Sequence, residues 1–347
     1  MALIPTTILT GFLGAGKTTL LNRILQEPHG HKIAVIENEF GQENIDHEIL
    51  VRDTTEQIVE MSNGCICCTV RGDLIAVLTT LSQKRAAGEL QFDHVVIETT
   101  GLANPGPVAQ TFFMDEEVAT HYLLDAIVTV VDARHAMQQL DEHEEAQRQI
   151  GFADKLLLSK ADLVTEQEIT QLSVRLKRIN PRAPILRCDF GKAPITEVLD
   201  IRGFNLNDKL EIDPDFLAEE AHEHHHAQAC DEHCDHDHSS HALEHAGHLD
   251  DISAFAFKSE RPFDNLRLEE FLGSLIQVYG PRMLRYKGVL WMKGAEYKVV
   301  FQGVHQTMGS DLGAKWAPDE QRHSKMVFIG KDLPKDIFIR GLEQCLV

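Results

Sequence analysis

No run of apolar residues in this 347-residue chain approaches the twenty or so needed to cross a bilayer. The first residues lack the apolar core of a secretory leader. A cytoplasmic, reducing compartment with free thiols is therefore expected for the seven cysteines. Basic residues are scarce: 33 Lys and Arg stand against 54 Asp and Glu, a formal net charge of −21. That balance argues against nucleic acid, which calls for a basic stripe, and equally against a membrane surface. The shortage is most extreme over residues 211–251, which hold thirteen acidic residues and no Lys or Arg. They supply −13 of the −21 and leave −8 for everything else. Apolar material is plentiful by contrast: 43% of residues are hydrophobic, enough for packed cores, and the length predicts two domains.

The segment Gly11-Phe12-Leu13-Gly14-Ala15-Gly16-Lys17-Thr18 fits G-x-x-x-x-G-K-[ST] without a gap. An apolar run over 4–9 reads as a buried strand before it. Residues 17–26 read as a helix after it, with Leu20, Leu21, Ile24 and Leu25 on one face. Glycines let backbone N–H groups approach phosphate oxygens, and the helix N-terminus adds partial positive charge. Lys17 is expected at the β- and γ-phosphates, Thr18 on Mg²⁺ and Thr19 on the α-phosphate. A chance glycine-rich turn does not explain a complete match in a strand–loop–helix context.

A strand over 153–158 delivers Ser159-Lys160-Ala161-Asp162, where GTPases carry Asn-Lys-x-Asp. Asp162 would accept from the guanine edge and the Lys160 stem would cover the base. Ser159 in place of Asn is expected to lose one contact to the base and a brace to the phosphate loop. The plainer reading is a strand end followed by a helix start. Two further strands, over 32–36 and 92–97, end in Glu37-Asn38-Glu39-Phe40-Gly41 and Glu98-Thr99-Thr100-Gly101. Acidic strand ends beside the phosphates can hold Mg²⁺ or orient water. Glu98 is the expected Walker B-like carboxylate, Gly101 the backbone sensor of the γ-phosphate, and Glu39 a candidate for Mg²⁺ or water.

Gly64-Cys65-Ile66-Cys67-Cys68 places three thiols within four residues. Thiolates select Zn²⁺, Co²⁺, Ni²⁺ and similar ions, and tetrahedral Zn²⁺ needs one donor more, which Glu37 or Glu39 could supply. Buried structural cysteines and a redox pair are the alternatives.

These motifs, in this order, resemble CobW-like GTPases, a group that includes the urease and hydrogenase nickel-insertion proteins. Residues 35–41, Gln110-Thr111-Phe112-Phe113, Leu284-Arg285-Tyr286-Lys287-Gly288 and residues 326–330 resemble the YjiA-type branch. The resemblance covers the chain except roughly residues 205–250. It implies a GTPase using GTP and Mg²⁺ that binds a transition metal, most often zinc, at Cys65, Cys67 and Cys68 and passes it to a client metalloprotein. Metal- or GTP-dependent homodimers are common in that group.

The organisation expected is α/β. Residues 1–204 form a P-loop NTPase domain with a mostly parallel, doubly wound sheet, and residues 252–347 a smaller α+β domain. Residues 205–251 are an acidic, His-rich linker. Ten of the nineteen histidines fall in 222–248, with Cys230 and Cys234. So biased a stretch is expected to be disordered without metal. His222, His224, His225, His226, Cys230, His233, Cys234, His236 and His238 are expected as auxiliary ligands of a low-specificity collecting arm. In the second domain, strands are expected over 253–258, 288–292, 297–302 and 325–329, and helices over 266–279 and 335–345. His305 and His323 there read as exposed or hydrogen-bonded histidines rather than ligands. A metal buffer built on the arm, or a P-loop ATPase or kinase with structural cysteines, are the competing functions.

Overall fold

The phosphate-loop strand β1 (Ile4–Thr10) lies at the centre of a seven-stranded sheet of order β3-β2-β4-β1-β5-β6-β7. The computed structural model describes residues 3–37, 49–52, 70–204 and 250–347. Glu39, Cys65, Cys67, Cys68 and the auxiliary ligands of the arm lie outside them, as does the expected disorder of the linker. Around β1 run β2 (Ile33–Glu37), β4 (His94–Glu98), β5 (Tyr122–Asp132), β6 (Lys155–Ser159) and β7 (Ile185–Arg187), all parallel. β3 (Ile49–Arg52) pairs antiparallel with β2 at the edge. Parallel neighbours need crossover connections, and helices supply them. These are α1 (Lys17–Gln26), α2 (Val70–Ala86), α3 (Pro105–Met114), α4 (Glu116–His121), α5 (Ala136–Glu142), α6 (Glu144–Phe152) and α7 (Glu166–Ile179). Helices cover both faces, which is why β4 is buried at every position, with the apolar run Val95, Val96 and Ile97 between His94 and Glu98.

Local chemistry sets the helix ends. Asn104 caps α3 by accepting from Gly106 N at 3.0 Å, with Pro105 in the first turn. Thr165 and Glu168 form a reciprocal capping box on α7. That helix stops at the buried Asn180, whose amide donates to the carbonyls of Ile150 and Ala153, each at 2.8 Å.

Residues 252–347 form a five-stranded antiparallel sheet, β11-β10-β9-β12-β8. Its strands are β8 (Ile252–Ser259), β9 (Met283–Leu290), β10 (Tyr297–Val304), β11 (Thr307–Lys315) and β12 (Ser324–Lys331), with helices α8 (Asn265–Tyr279) and α9 (Lys335–Gln344). Side chains alternate across such a strand. Phe255, Phe257, Met326 and Phe328 accordingly join the core under α8 and α9. Ala256, Val327 and Ile329, one residue out of phase, join the core of the first sheet. Two expectations are corrected here. The strand expected over 288–292 is Met283–Leu290, and β11 was not anticipated: it is exposed along its length and carries no apolar alternation.

A buried charge cluster ties the halves together. Arg285 on β9 is fully buried, and its Nη2 donates to Asp154 Oδ1 at 2.9 Å and to Gly203 O at 3.1 Å. Its guanidinium lies 3.5 Å from the centroid of the Phe204 ring. Arg182 Nη2 approaches the same carboxylate at 3.8 Å, and burial holds its pKa down at about 10. Asp154→Ala would leave two buried guanidiniums without a counter-charge. It is expected to lower unfolding free energy by about 3–5 kcal/mol, checked by urea denaturation.

At the end of the first sheet away from the phosphate loop, where β4 begins beside β1, His94 is fully buried, with Nε2 3.0 Å from Thr7 Oγ1. Burial pushes its pKa down to about 4, against the opposing pull of Asp200, while His31, Asp93 and His29 make smaller contributions. The folded state therefore keeps His94 neutral where the unfolded chain, titrating near 6.5, takes up a proton. The stability it contributes is fully present above pH 6.5 and is lost as pH falls toward 4, by roughly 3 kcal/mol. Denaturation from pH 7.5 to 4.5 should show a shallower decline in His94→Gln; equal slopes would exclude His94 as the titrating group.

Candidate nucleotide and metal site

The loop between β1 and α1 turns tightly because Gly11 adopts φ 144° against the neighbouring strand. A β-carbon there would lie 2.3 Å from the Val130 carbonyl oxygen. Gly14, Ala15 and Gly16 continue the turn, Ala15 N donating to Phe12 O at 3.1 Å, and Gly16 precedes the first residue of α1. Lys17 Nζ curls back over the loop to donate to Gly11 O at 2.8 Å. Burial lowers the Lys17 pKa, and the Glu98 carboxylate opposes that shift. Thr18 Oγ1 donates to Glu98 Oε1 at 3.0 Å, so two side chains eighty positions apart meet beside the phosphate loop. Glu98 ends β4 and is in register with Glu37, which ends β2. The chain that leaves this strand end, residues 38–48, includes Glu39, whereas Cys65, Cys67 and Cys68 lie in the sequence between Arg52, the last residue of β3, and Val70, the first of α2.

Beyond Glu98, Thr99 Oγ1 donates to Thr10 Oγ1 at 2.8 Å, tying the exit of β4 to the end of β1. Gly101 then lies against the phosphate loop: a β-carbon at this position would sit 2.7 Å from Leu13 N. Only glycine admits that approach.

On the other flank is a cavity of about 300 Å³ lined by Gly16, Thr19, Ser159, Lys160, Asp162 and Phe190, among others. Thr19 and Asp162 therefore face one space, as expected for neighbouring parts of one nucleotide. Lys160 takes a left-handed conformation, φ 55°. Its Nζ donates to Gly14 O at 2.8 Å and to Asp132 Oδ2 at 2.7 Å, which lays the stem along the cavity wall. Burial alone would raise the Asp132 pKa. Hydrogen bonds from Lys160 and His135, with the Lys160 charge, outweigh it and hold the carboxyl below its ordinary range.

Ser159 corrects one expectation. Its hydroxyl donates to Ala15 O at 2.7 Å, so the brace to the phosphate loop is kept. The shorter side chain suffices because β6 brings the Ser159 backbone close under the loop. Two contributors at this cavity were missed. Asp189 Oδ1 accepts from Ala161 N at 2.7 Å and fixes the turn that carries Asp162. Phe190, 71% exposed at φ 52°, stands at the rim. An exposed aromatic held in the left-handed region is strained and belongs to functional surfaces more than to cores. The short apolar run before Cys188 was the available signal.

No group of three clustered metal-ligating side chains occurs among the described residues, and none of their helices is long and apolar enough to cross a membrane.

Comparison with known proteins agrees with this geometry. The zinc chaperone YjiA of Escherichia coli is 40% identical over 334 residues, 96% of each chain. The zinc-regulated GTPase metalloprotein activator 1 of Dictyostelium discoideum is 30% identical, across 99% of this chain and 80% of its own. The crystal structure of the Zn(II)-bound YjiA GTPase from E. coli superposes with a TM-score of 0.76 at 35% identity, covering both chains in full. The family described as the CobW/HypB/UreG nucleotide-binding domain matches residues 5–187, and the cobalamin synthesis protein cobW C-terminal domain matches residues 252–346. With its phosphate loop, its paired strand-end carboxylates and both of these domains in order, the chain belongs to the CobW/HypB/UreG family.

Proposed function

We propose that this protein is a cytoplasmic, zinc-binding GTPase that couples GTP binding and hydrolysis to delivery of zinc to a client metalloprotein. The observation that carries the reading is the juxtaposition at the strand ends. Thr18 and Glu98 meet at 3.0 Å, and Glu37 lies in register on the adjoining strand. A hydroxyl and a carboxylate so placed suit the hard, oxygen-seeking Mg²⁺ that accompanies GTP. The Glu37 carboxylate beside them would supply the fourth donor that three thiolates need for Zn²⁺, with Co²⁺ or Ni²⁺ as chemically compatible cargo.

In this reading Gly11, Gly14, Ala15, Gly16, Lys17, Thr18 and Thr19 hold the phosphates, and Ser159, Lys160 and Asp162 hold the base. Glu98, Gly101 and Glu39 respond to the γ-phosphate. Glu37, Cys65, Cys67 and Cys68 grip the metal when GTP orders their segment, and hydrolysis releases it. The histidine-rich stretch collects ions for that site. Homodimerisation on loading belongs to the same proposal.

The test is a competitive Zn²⁺ titration on protein lacking residues 222–248, with Mg²⁺ and either GDP or a non-hydrolysable GTP analogue. Coupling requires affinities that differ between the two nucleotides. Equal affinities would mean that hydrolysis cannot drive zinc transfer, because a ligand indifferent to two states shifts neither.

A further inference from the structure

Helix α6 has nine residues and meets three separate parts of the molecule. At its N-cap His143 stacks on Phe12 of the phosphate loop, with ring centroids 4.7 Å apart. Further along, the buried Gln149 directs its amide at the loop after β4. Nε2 donates to Gly101 O at 3.1 Å and to Ala103 O at 3.0 Å. The Gln149 carbonyl accepts from Thr129 Oγ1 at 2.9 Å, anchoring the helix to β5. On the far side, Gln147 Oε1 accepts from Ile252 N, where β8 begins, and Glu144 pairs with Lys331 of β12 at 2.9 Å. Gly151 packs so tightly that a β-carbon would lie 2.7 Å from Leu284 Cδ1 on β9.

The exit of the same loop is held from the C-terminal domain directly. His305, in the turn between β10 and β11, lies against Gly106 in the first turn of α3; a β-carbon on Gly106 would sit 2.6 Å from its Nε2. The His305 ring also meets Phe152, the last residue of α6, edge-on at 5.1 Å. Residues 101–106 are therefore gripped at one end by Gln149 and at the other by His305.

We propose that Gln149 is a positioning residue for GTP hydrolysis, and that α6 carries the state of the 101–104 loop to the C-terminal sheet. The inference rests on the reading of Gly101 as the γ-phosphate contact. Moving Gly101 toward or away from the phosphates must either strip the carbonyls of the buried Gly101 and the half-buried Ala103 of their donor or drag Gln149 along. Leaving buried polar groups unsatisfied costs about 1–3 kcal/mol each. The loop and the helix therefore move together. Because α6 is close-packed on β8, β9 and β12, its displacement reaches the C-terminal sheet rather than dissipating. By linkage, a client seated on that sheet would alter the preference for GTP over GDP by the same factor.

Gln149→Met in the full chain keeps the side-chain length and removes both donors. The expected kcat for GTP is about ten- to a hundredfold lower, with GDP affinity held within about twofold. The difference in amide exchange of β8 and β12 between GDP and the β,γ-imido analogue of GTP, expected in the wild type, should disappear. His305→Asn, at a position with φ 51° that asparagine tolerates, should damp the same difference without touching the nucleotide. An exchange difference that survives unchanged in both variants overturns the proposal, as does a wild-type kcat in Gln149→Met. Wild-type protein that turns over GTP yet shows no exchange difference removes the coupling alone. Absence of turnover removes the reading of the nucleotide site beneath it.

Discussion

Lys17→Ala is expected to reduce GTP turnover by a factor on the order of 10²–10³ and to leave the fold intact. Lys17 opens α1, and its ammonium lies over the phosphate loop, 2.8 Å from Gly11 O. In a loop otherwise made of backbone dipoles it is the point charge that can follow a γ-phosphoryl group as negative charge shifts toward the leaving oxygen. The effect on stability should be small. A positive charge at a helix N-terminus opposes the macrodipole, and alanine is the better helix former. Steady-state GTP hydrolysis read beside a melting curve separates the two effects. A folded Lys17→Ala protein with wild-type turnover would remove Lys17 from the phosphate contact. Zinc uptake by the histidine-rich stretch should persist, since neutral imidazoles bind without the nucleotide.

The second large effect is expected when Cys65, Cys67 and Cys68 are changed together to serine in protein lacking residues 222–248. A neutral hydroxyl is a poor substitute for a thiolate toward a borderline-soft ion. Perturbing only the outer shell of a zinc site already weakens binding about 10–100-fold. Loss of three inner ligands should lower Zn²⁺ affinity by at least about 10²-fold and abolish its dependence on nucleotide. GTP binding should remain, because the phosphate loop and the base cavity are built from other segments. High-affinity, nucleotide-dependent zinc binding in the serine variant would place the metal site elsewhere, and simultaneous loss of GTP binding would give the cysteines a structural role.

The parts of the fold legible in the sequence are those where chemistry and periodicity agree. The helix expected over 17–26 is Lys17–Gln26, because glycines delimit its start and a clean apolar face runs its length. Helix α7 is bounded by residues whose types mark helix ends, Thr165 at its N-cap and Asn180, before Pro181, at its C-cap. β9 was placed too late because Arg285 and Lys287 look like surface residues. Both are buried, Arg285 by virtue of a carboxylate from the other domain that no local window contains. β11 carries glycines and polar residues on an exposed edge, where pairing with β10 rather than side-chain burial defines the strand.

Within the site, the residues of the phosphate loop and the strand ends were legible as motifs. The support around them was not. Gln149 reaches Gly101 from 48 positions away, and Asp189 reaches Ala161 from 28. Nothing in a short motif encodes partners at such separations. The Ser159 brace escaped for a different reason: hydroxyl and amide differ in reach, and only the backbone position of β6 decides which of them spans the gap.

The apolar cluster that holds Ile8 and Ile97 under the nucleotide-bearing sheet also holds Leu284, Val304, Val327 and Ile329 of the C-terminal sheet. It has no seam at the domain boundary. Heat or denaturant is therefore expected to open both halves in one cooperative step, read as a single transition in a melting curve. A nucleotide gripped by the first domain then stabilises the whole chain by mass action. The C-terminal sheet inherits thermal protection from a ligand bound in the other domain.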